Sequence, residues 1–453
     1  MKRFAMVRVV AAAGLAACLA SGAVSLRAQK AGQSNKKAEK SAAGSAAAAT
    51  PESVGFSSER LERLHTLMQQ AVDKKEVAGV VTLLARHGKI VDFHTYGSRD
   101  LASGAAMTKD TIFRDYSMTK PVTGVAMMIL YEEGKWLPTD PIAKYIPEFA
   151  HLKVYGGTDA NGKMILDDPA HPPTMAELMS HTAGFTYGFF GNTPVDKMVL
   201  KANVFDAPNL QGMIDRLAKI PLLYQPGTEW NYSLSMDIEG YIVEKLSGQS
   251  LPDFIRDHIY EPLNMKDAGF WVPKDKQSRF ASLYWWDPQR DMVTAQARGF
   301  ISPHGYDAPP AVPSGGGGMV STIEDYYRFA QMMANGGELD GKRILSPETV
   351  KLMTSNHLGA NLVSGKFGVG AQHMRPGFGY GYNCAVEYDP QEANLPDGKG
   401  TFLWDGAAGT WFWVDPTNDI VFVGMIQRMN GGEPNLQYLS RSIVYGALVD
   451  PAK

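Results

Sequence analysis

The sequence predicts an α+β fold: one antiparallel sheet built from both chain ends and flanked by helices, with a mostly helical region at about residues 130–315. Strand-like runs occur near both ends, "VAGVVTLLARHGKIVDFHTYG" (77–97) early and "YGYNCAVEYD", "GTFLWDG" and "GTWFWVDPTNDIVFVGMIQRM" late. Between them, apolar residues recur at helical spacing and long irregular connections intervene, which is not the regular alternation of a parallel βαβ fold. No internal repeat points to a solenoid.

The elements follow in chain order. Lys2, Arg3 and Arg8 precede an uncharged stretch at 9–26 rich in Ala, Gly, Val and Leu, so residues 1–28 read as a secretory signal. The competing reading is a permanent anchor, for which the stretch is only marginally long and poor in Leu and Ile. Within it, "LAAC" (15–18) resembles a bacterial lipoprotein processing box, which would leave Cys18 lipidated. Residues 29–50, "QKAGQSNKKAEKSAAGSAAAAT", contain no aromatic, Leu, Ile or Val and read as a flexible linker. Residues 51–450 read as the folded domain.

Within that domain, 57–72 places Leu61, Leu64, Leu67, Met68 and Ala71 at helical spacing, and His87-Gly88 breaks two β-rich runs as a hairpin would. A helix is expected to begin at Ser117, and a short one to run from Thr174 to near Gly184. Helix-like pieces at 208–219 and 233–247 follow, then a glycine bend and helix in "SGGGGMVSTIEDYYRFAQMMANGG" (314–337). Residues 415–419 supply a tight turn between the last strands, and "NLQYLSRSIVYGALV" closes the chain as a helix.

The composition is globular, with 44% hydrophobic and 20% charged residues, and the formal charge of -3 gives no basic surface for nucleic acid. Cys18 and Cys384 are the only cysteines. One of them lies in the leader, so no structural disulfide is expected despite the implied export.

The chemistry-bearing stretch is "DYSMTKPVTGVAMMILYEEG", where Ser117 and Lys120 stand three apart at the head of an apolar run. The spacing alone is weak, because Ser34 and Lys37 repeat it in the linker. Its context is better. On a helix the two side chains share a face, Pro121 is tolerated in the first turn, and Val122, Val125, Met128, Ile129 and Leu130 imply a buried helix. Burial and the helix dipole both disfavour a charged lysine, which would make Lys120 a usable proton acceptor for the serine hydroxyl. The ordinary alternative is a serine N-cap beside a lysine that reaches to solvent.

No Gly-x-Ser-x-Gly, His-Glu-x-x-His or phosphate-loop motif competes. His181 could serve a serine triad, although its place at a helix end suits a structural hydrogen bond better. The glycines at 315–318 read as a close-approach turn.

The order of segments resembles the serine β-lactamase-related superfamily, which includes class C β-lactamases and penicillin-binding peptidases, and is most similar to the family VIII carboxylesterases. "YSMTKPVTGVAMMILYEEGKWLPTDPIAKYIPEF", "MAELMSHTAGF", "PGTEWNYS" and "GGGGMVSTIEDYYRFAQMMANGG" carry that resemblance over about residues 51–449. It implies a β-lactamase/transpeptidase-like fold and no metal or organic cofactor. It also implies Ser117 as the acylated nucleophile, Lys120 as its base and Tyr232 as a further base or acid, a role that a lowered phenol pKa would favour. The backbone N–H groups of Ser117 and Ala407 would form the oxyanion hole.

Two departures from the β-lactamase pattern tilt the expected substrate toward a small-molecule ester. Leu234 stands where an asparagine usually follows the tyrosine, and "LWDGAAG" replaces the Lys-Thr-Gly motif, with Trp404, Asp405 and Gly406 in its place. The resemblance places Trp404, Asp405, Gly406 and Leu234 in the substrate pocket, with Trp404 as an apolar wall, and Tyr284, Trp285, Trp286, Trp411 and Trp413 are expected as either acyl-pocket or core aromatics. The alternatives carried by the same resemblance are a β-lactamase, a D-amino peptidase, an acyltransferase or an inactive envelope protein. The expected location is periplasmic or secreted, with membrane contact only through lipid on Cys18.

Overall fold

The computed structural model describes residues 49–287, 291–294, 301–360, 362, 376–429 and 434–452. The signal pattern with Cys18, and the linker up to residue 48, lie outside the described residues.

Among the described residues, eight strands form the main sheet: β1 Gly79–Arg86, β2 Lys89–Asp100, β3 Ala105–Ala106, β4 Phe378–Tyr380, β5 Ala385–Glu387, β6 Thr401–Asp405, β7 Trp411–Asp415 and β8 Ile420–Met425. Their order is β4-β5-β6-β7-β8-β1-β2-β3, so the N-terminal hairpin docks on the last C-terminal strand, as expected of a sheet closed from both ends. The β8–β1 seam is antiparallel, with Leu83 opposite Val423. Every residue of β1, β7 and β8 is buried. Such continuous apolar strands require both faces of the sheet to be covered.

Six helices matter to the site and its frame: α1 Ser58–Asp73, α2 Thr119–Glu132, α3 Met175–Met179, α4 Ser235–Ser247, α5 Ile323–Ala334 and α6 Leu436–Ala447. Alternation along β7 assigns the faces. Phe412 meets Tyr326 of α5 at a ring separation of 5.1 Å. Trp413 points the other way, stacking on Phe422 at 4.2 Å and facing Arg441 of α6, which packs with α1. Trp411 shares the α6 side and lies over Gly424, where an added Cβ would come within 2.2 Å of its ring. Trp411 and Trp413 are therefore core residues, not an acyl-pocket lining. Buried Arg441 also pairs with Glu387 and Asp397, tying α6 to β5.

Local signals explain most helix boundaries. Ser57 caps α1 by accepting from the Arg60 N–H, Thr322 caps α5, and Thr174 with Glu177 forms a capping box on α3. α3 ends at Met179, earlier than expected, because His181 adopts a left-handed conformation with φ of 59°. The region expected to be mostly helical also carries two small hairpins, Val154–Thr158 with Met164–Asp167 and Tyr284–Asp287 with Asp291–Thr294.

Candidate active site

Ser117 lies in a short 3-10 turn, Tyr116–Met118, that feeds directly into α2. It does not cap the helix; Met118 occupies that position and no side chain caps there. Tyr116, immediately before it, has φ of 45°, a left-handed conformation costing about 1–2 kcal/mol for a residue with a Cβ. Surrounding bonds hold the turn in place. The Thr119 hydroxyl donates to Tyr116 O at 2.6 Å, the Tyr326 hydroxyl to Met118 O at 2.9 Å, and the Thr410 hydroxyl to Asp115 O at 3.1 Å. Such over-determined strain aims the serine side chain.

Lys120 does not reach solvent; it is fully buried. Its Nζ lies 3.1 Å from Ser117 Oγ and donates to Gly316 O at 2.6 Å. Burial pulls its pKa from 10.5 down to about 7, while the nearby carboxylates, Asp237 foremost, act in the opposite sense. At neutral pH a large fraction of Lys120 is thus an uncharged amine able to accept the serine proton.

Tyr232 completes the cluster: its hydroxyl donates to Ser117 Oγ at 2.6 Å, and its ring centre is 4.6 Å from Lys120 Nζ. The expected lowering of its pKa is not found. Burial raises it, outweighing the hydrogen bonds with Ser117 and Trp404 that favour the phenolate. The enclosure comes from Trp230, Phe190, His181 and Trp404, whose ring centres lie 4.9–6.1 Å away. Tyr232 is therefore a neutral phenol and a proton donor at rest.

The turn after β6 lies against the segment that carries Ser117. A Cβ on Gly406 would stand 2.2 Å from Asp115 O, so only glycine permits this approach. Among the described residues, neither the Ser117 nor the Ala407 backbone N–H donates to another backbone group. Trp404 is buried on the α5 side of the sheet, 1% exposed and 5.6 Å from Tyr232, so it packs against the phenol and is not the open substrate wall expected of it. Asp405 alternates away from it, opposite Trp411, although its charge still reaches Lys120 and Tyr232. Leu234 is 0% exposed and offers a substrate no surface, so its expected place in the pocket wall is not met. The cleft that opens beside Tyr232, about 230 Å³, is instead lined by Phe190, Tyr224, Glu229, Trp230 and Asn231, among others. Tyr284 is buried and accepts from the Leu101 N–H, and Trp285 is exposed on its small hairpin.

His181 takes the structural role expected of it. Its Nδ1 accepts from the Ser233 N–H at 3.3 Å, and burial holds the ring neutral. The glycine run is a close-approach turn, as expected: a Cβ on Gly315 would sit 2.3 Å from Met236 O, and one on Gly316 2.7 Å from Asp237 Oδ2 and from the Tyr187 hydroxyl.

Sequence reasoning missed the groups behind Lys120. Asp237 accepts from the Gly316 N–H at 3.1 Å and from the Ser314 hydroxyl, fixing the carbonyl that anchors the lysine. The Asn383 amide donates to Glu239 Oε2 at 2.6 Å and to Lys120 O at 3.2 Å. Burial raises the pKa of Glu239 to about 8. The available signal was the pair of acidic residues five and seven positions after Tyr232, on a helix that otherwise reads as core.

A sheet closed from both chain ends, with a Ser-x-x-Lys helix packed against it, defines a β-lactamase/transpeptidase-like protein. The chain belongs to the Beta-lactamase family, whose sequence model matches residues 64–442. An uncharacterized protein of Mycobacterium tuberculosis is 36% identical over 364 residues, covering 80% of this chain and 88% of its own length. Esterase EstB of Burkholderia gladioli is 31% identical over 373 residues, covering 78% of this chain and 86% of its own. Among solved structures, EstCE1, a hydrolase with promiscuous acyltransferase activity, superposes with a TM-score of 0.70 at 26% identity, covering 85% of this chain and 98% of its own. The chain is thus a hydrolase-type member of this family, with esterase, acyltransferase and carboxypeptidase relatives.

Proposed function

We propose that the protein is a serine esterase that acts through an acyl-enzyme on Ser117. The observation that carries this reading is Ser117 Oγ held between Lys120 Nζ at 3.1 Å and the Tyr232 hydroxyl at 2.6 Å. Neutral Lys120 takes the Ser117 proton as Oγ attacks the ester carbonyl, and the Ser117 and Ala407 N–H groups receive the oxyanion. When the tetrahedral intermediate collapses, the leaving alkoxide takes the Tyr232 proton, which protonated Lys120 restores. Water then enters, gives a proton to the same pair and releases the acid with free serine.

The preference for esters over lactams is supported by Trp404, buried where the β-lactamase pattern has a lysine, which leaves that position without a cation for a lactam carboxylate. Likeness to esterase EstB points the same way. The leader pattern at 1–28 supports export to the periplasm or medium; cleavage before Cys18 would instead yield a form anchored by lipid on that cysteine. The test is kcat/KM on p-nitrophenyl esters of increasing chain length beside nitrocefin, a D-Ala-D-Ala peptide and an ester with added alcohol acceptor. Esters should lead by orders of magnitude; a lead by nitrocefin, the peptide or the acceptor alcohol would replace the esterase reading with the corresponding alternative.

A further inference from the structure

A second cluster of chemistry-bearing side chains lies away from Ser117. His65 on α1 and Asp92 and His94 on β2 bring one ligand atom each to within 4.8 Å of one another. We propose that these residues bind one divalent transition-metal ion of the zinc type.

Strand parity places the cluster on the opposite side of the sheet from the catalytic residues. His94 lies across from Thr82, Thr82 from Gly424, and Gly424 from Trp411, a row that faces α1 and α6. Asp92 and His94 are two apart and share that face. α1 lays His65 over them, with the imidazole rings of His65 and His94 4.2 Å apart.

The donor set is borderline in softness, two imidazoles and a carboxylate, which suits zinc and its neighbours rather than calcium or magnesium. Asp92 Oδ2 lies 2.6 Å from His65 Nε2 and 3.5 Å from His94 Nε2. Tetrahedral zinc would separate its donor atoms by about 3.3 Å, so the Asp92–His94 pair is close to fitting, while the partly exposed His65 ring must turn, backing off Asp92 and keeping Nε2 within reach of His94.

Two further observations favour an ion over a simple His–Asp pair. Asp92 is 6% exposed, yet its other oxygen, Oδ1, is buried and has no hydrogen-bond partner among the described residues. A buried, half-satisfied carboxylate beside a second imidazole is costly unless a cation joins it. Glu62, one helical turn before His65, sits 3.3 Å from its Nδ1. Glu62 is placed to accept the Nδ1 proton when Nε2 turns from Asp92 to a metal, the usual second-sphere arrangement of metal-bound histidine. His94, with a side chain 49% exposed, leaves the remaining coordination position open to water. Bound there, the ion would clip α1 to the outer part of the sheet without entering the ester chemistry.

The test titrates EDTA-stripped full-length protein with Co²⁺, read by its visible absorption, and with Zn²⁺ in competition with a chromophoric chelator. Expected are one equivalent per chain, a four- or five-coordinate Co²⁺ spectrum and a Zn²⁺-dependent rise in Tm. Glu62→Gln should weaken Zn²⁺ binding about tenfold, and His65→Gln and His94→Gln more than that. Circular dichroism checks that the variants fold, and half-exposed His94 keeps the test open if His65→Gln does not. Absence of stoichiometric binding, or binding undiminished in the folded His94→Gln variant, overturns the proposal.

Discussion

Replacing Asp237 by Asn should move the acidic limb of the pH–rate profile downward. The proposed base is neutral Lys120, so kcat/KM must rise with pH through the lysine pKa, which stands at about 7. Asp237 is the nearby charge that does most to hold that pKa up. Asparagine keeps an oxygen to accept from the Gly316 N–H and the Ser314 hydroxyl, so the anchoring carbonyl stays in place. Removing one negative charge at this range typically shifts a partner by about one pH unit. At pH 6 the neutral fraction of Lys120 would then rise from about a tenth to about a half, so the variant should keep roughly five times more of its plateau kcat/KM than the wild type. The assay is kcat/KM on a p-nitrophenyl ester between pH 5 and 9, followed at the isosbestic wavelength of the product. A limb that stays put or moves upward would refute the assignment of Lys120 as the titrating base.

Tyr232→Phe keeps the ring packing but removes the proton donor, so kcat should fall about 10²–10⁴-fold with KM little changed; an effect confined to KM would remove Tyr232 from the proton relay. Lys120→Met should abolish turnover yet stabilise the fold. The folded pKa of about 7 lies below the ordinary lysine value of 10.5, so the unfolded chain binds the extra proton between those values. The cost of burying the charge is thus fully present below pH 7, fades as pH rises and is gone above about 10.5. Tm should therefore rise in the variant at pH 6 and much less at pH 10; a uniform fall would contradict this. Leu234→Asn restores the β-lactamase-like residue at a wholly buried position, so it should cost about 1–3 kcal/mol by urea titration and bring no nitrocefin turnover. Nitrocefin hydrolysis gained with stability intact would show that the side chain reaches the substrate.

The parts that were legible in the sequence are those set by local pattern. The C-terminal strands announced themselves as apolar runs separated by turns, and the β8–β1 seam followed from strand-like runs at both ends. Ser117, Lys120 and Tyr232 were nameable from their motifs, and the structure brings their reactive atoms together. What stayed hidden depends on tertiary enclosure and strand parity. The direction of the Tyr232 shift comes largely from rings contributed by distant segments of the chain, among them His181, Phe190 and Trp404. That Trp413 faces α6, while Trp404 faces the site, follows from register across β6 and β7. Asp237 and Glu239 come behind Lys120 only because α4 packs against α2, which no local pattern in the sequence signals.

The central claim is that Ser117 is a nucleophile activated by Lys120. Intact-protein mass spectrometry after fluorophosphonate treatment tests it most directly. The account predicts one covalent adduct per chain, mapped to Ser117, absent in Ser117→Ala and formed much more slowly in Lys120→Met. Folded wild-type protein that remains unlabelled, or an adduct that persists in Ser117→Ala, would contradict it.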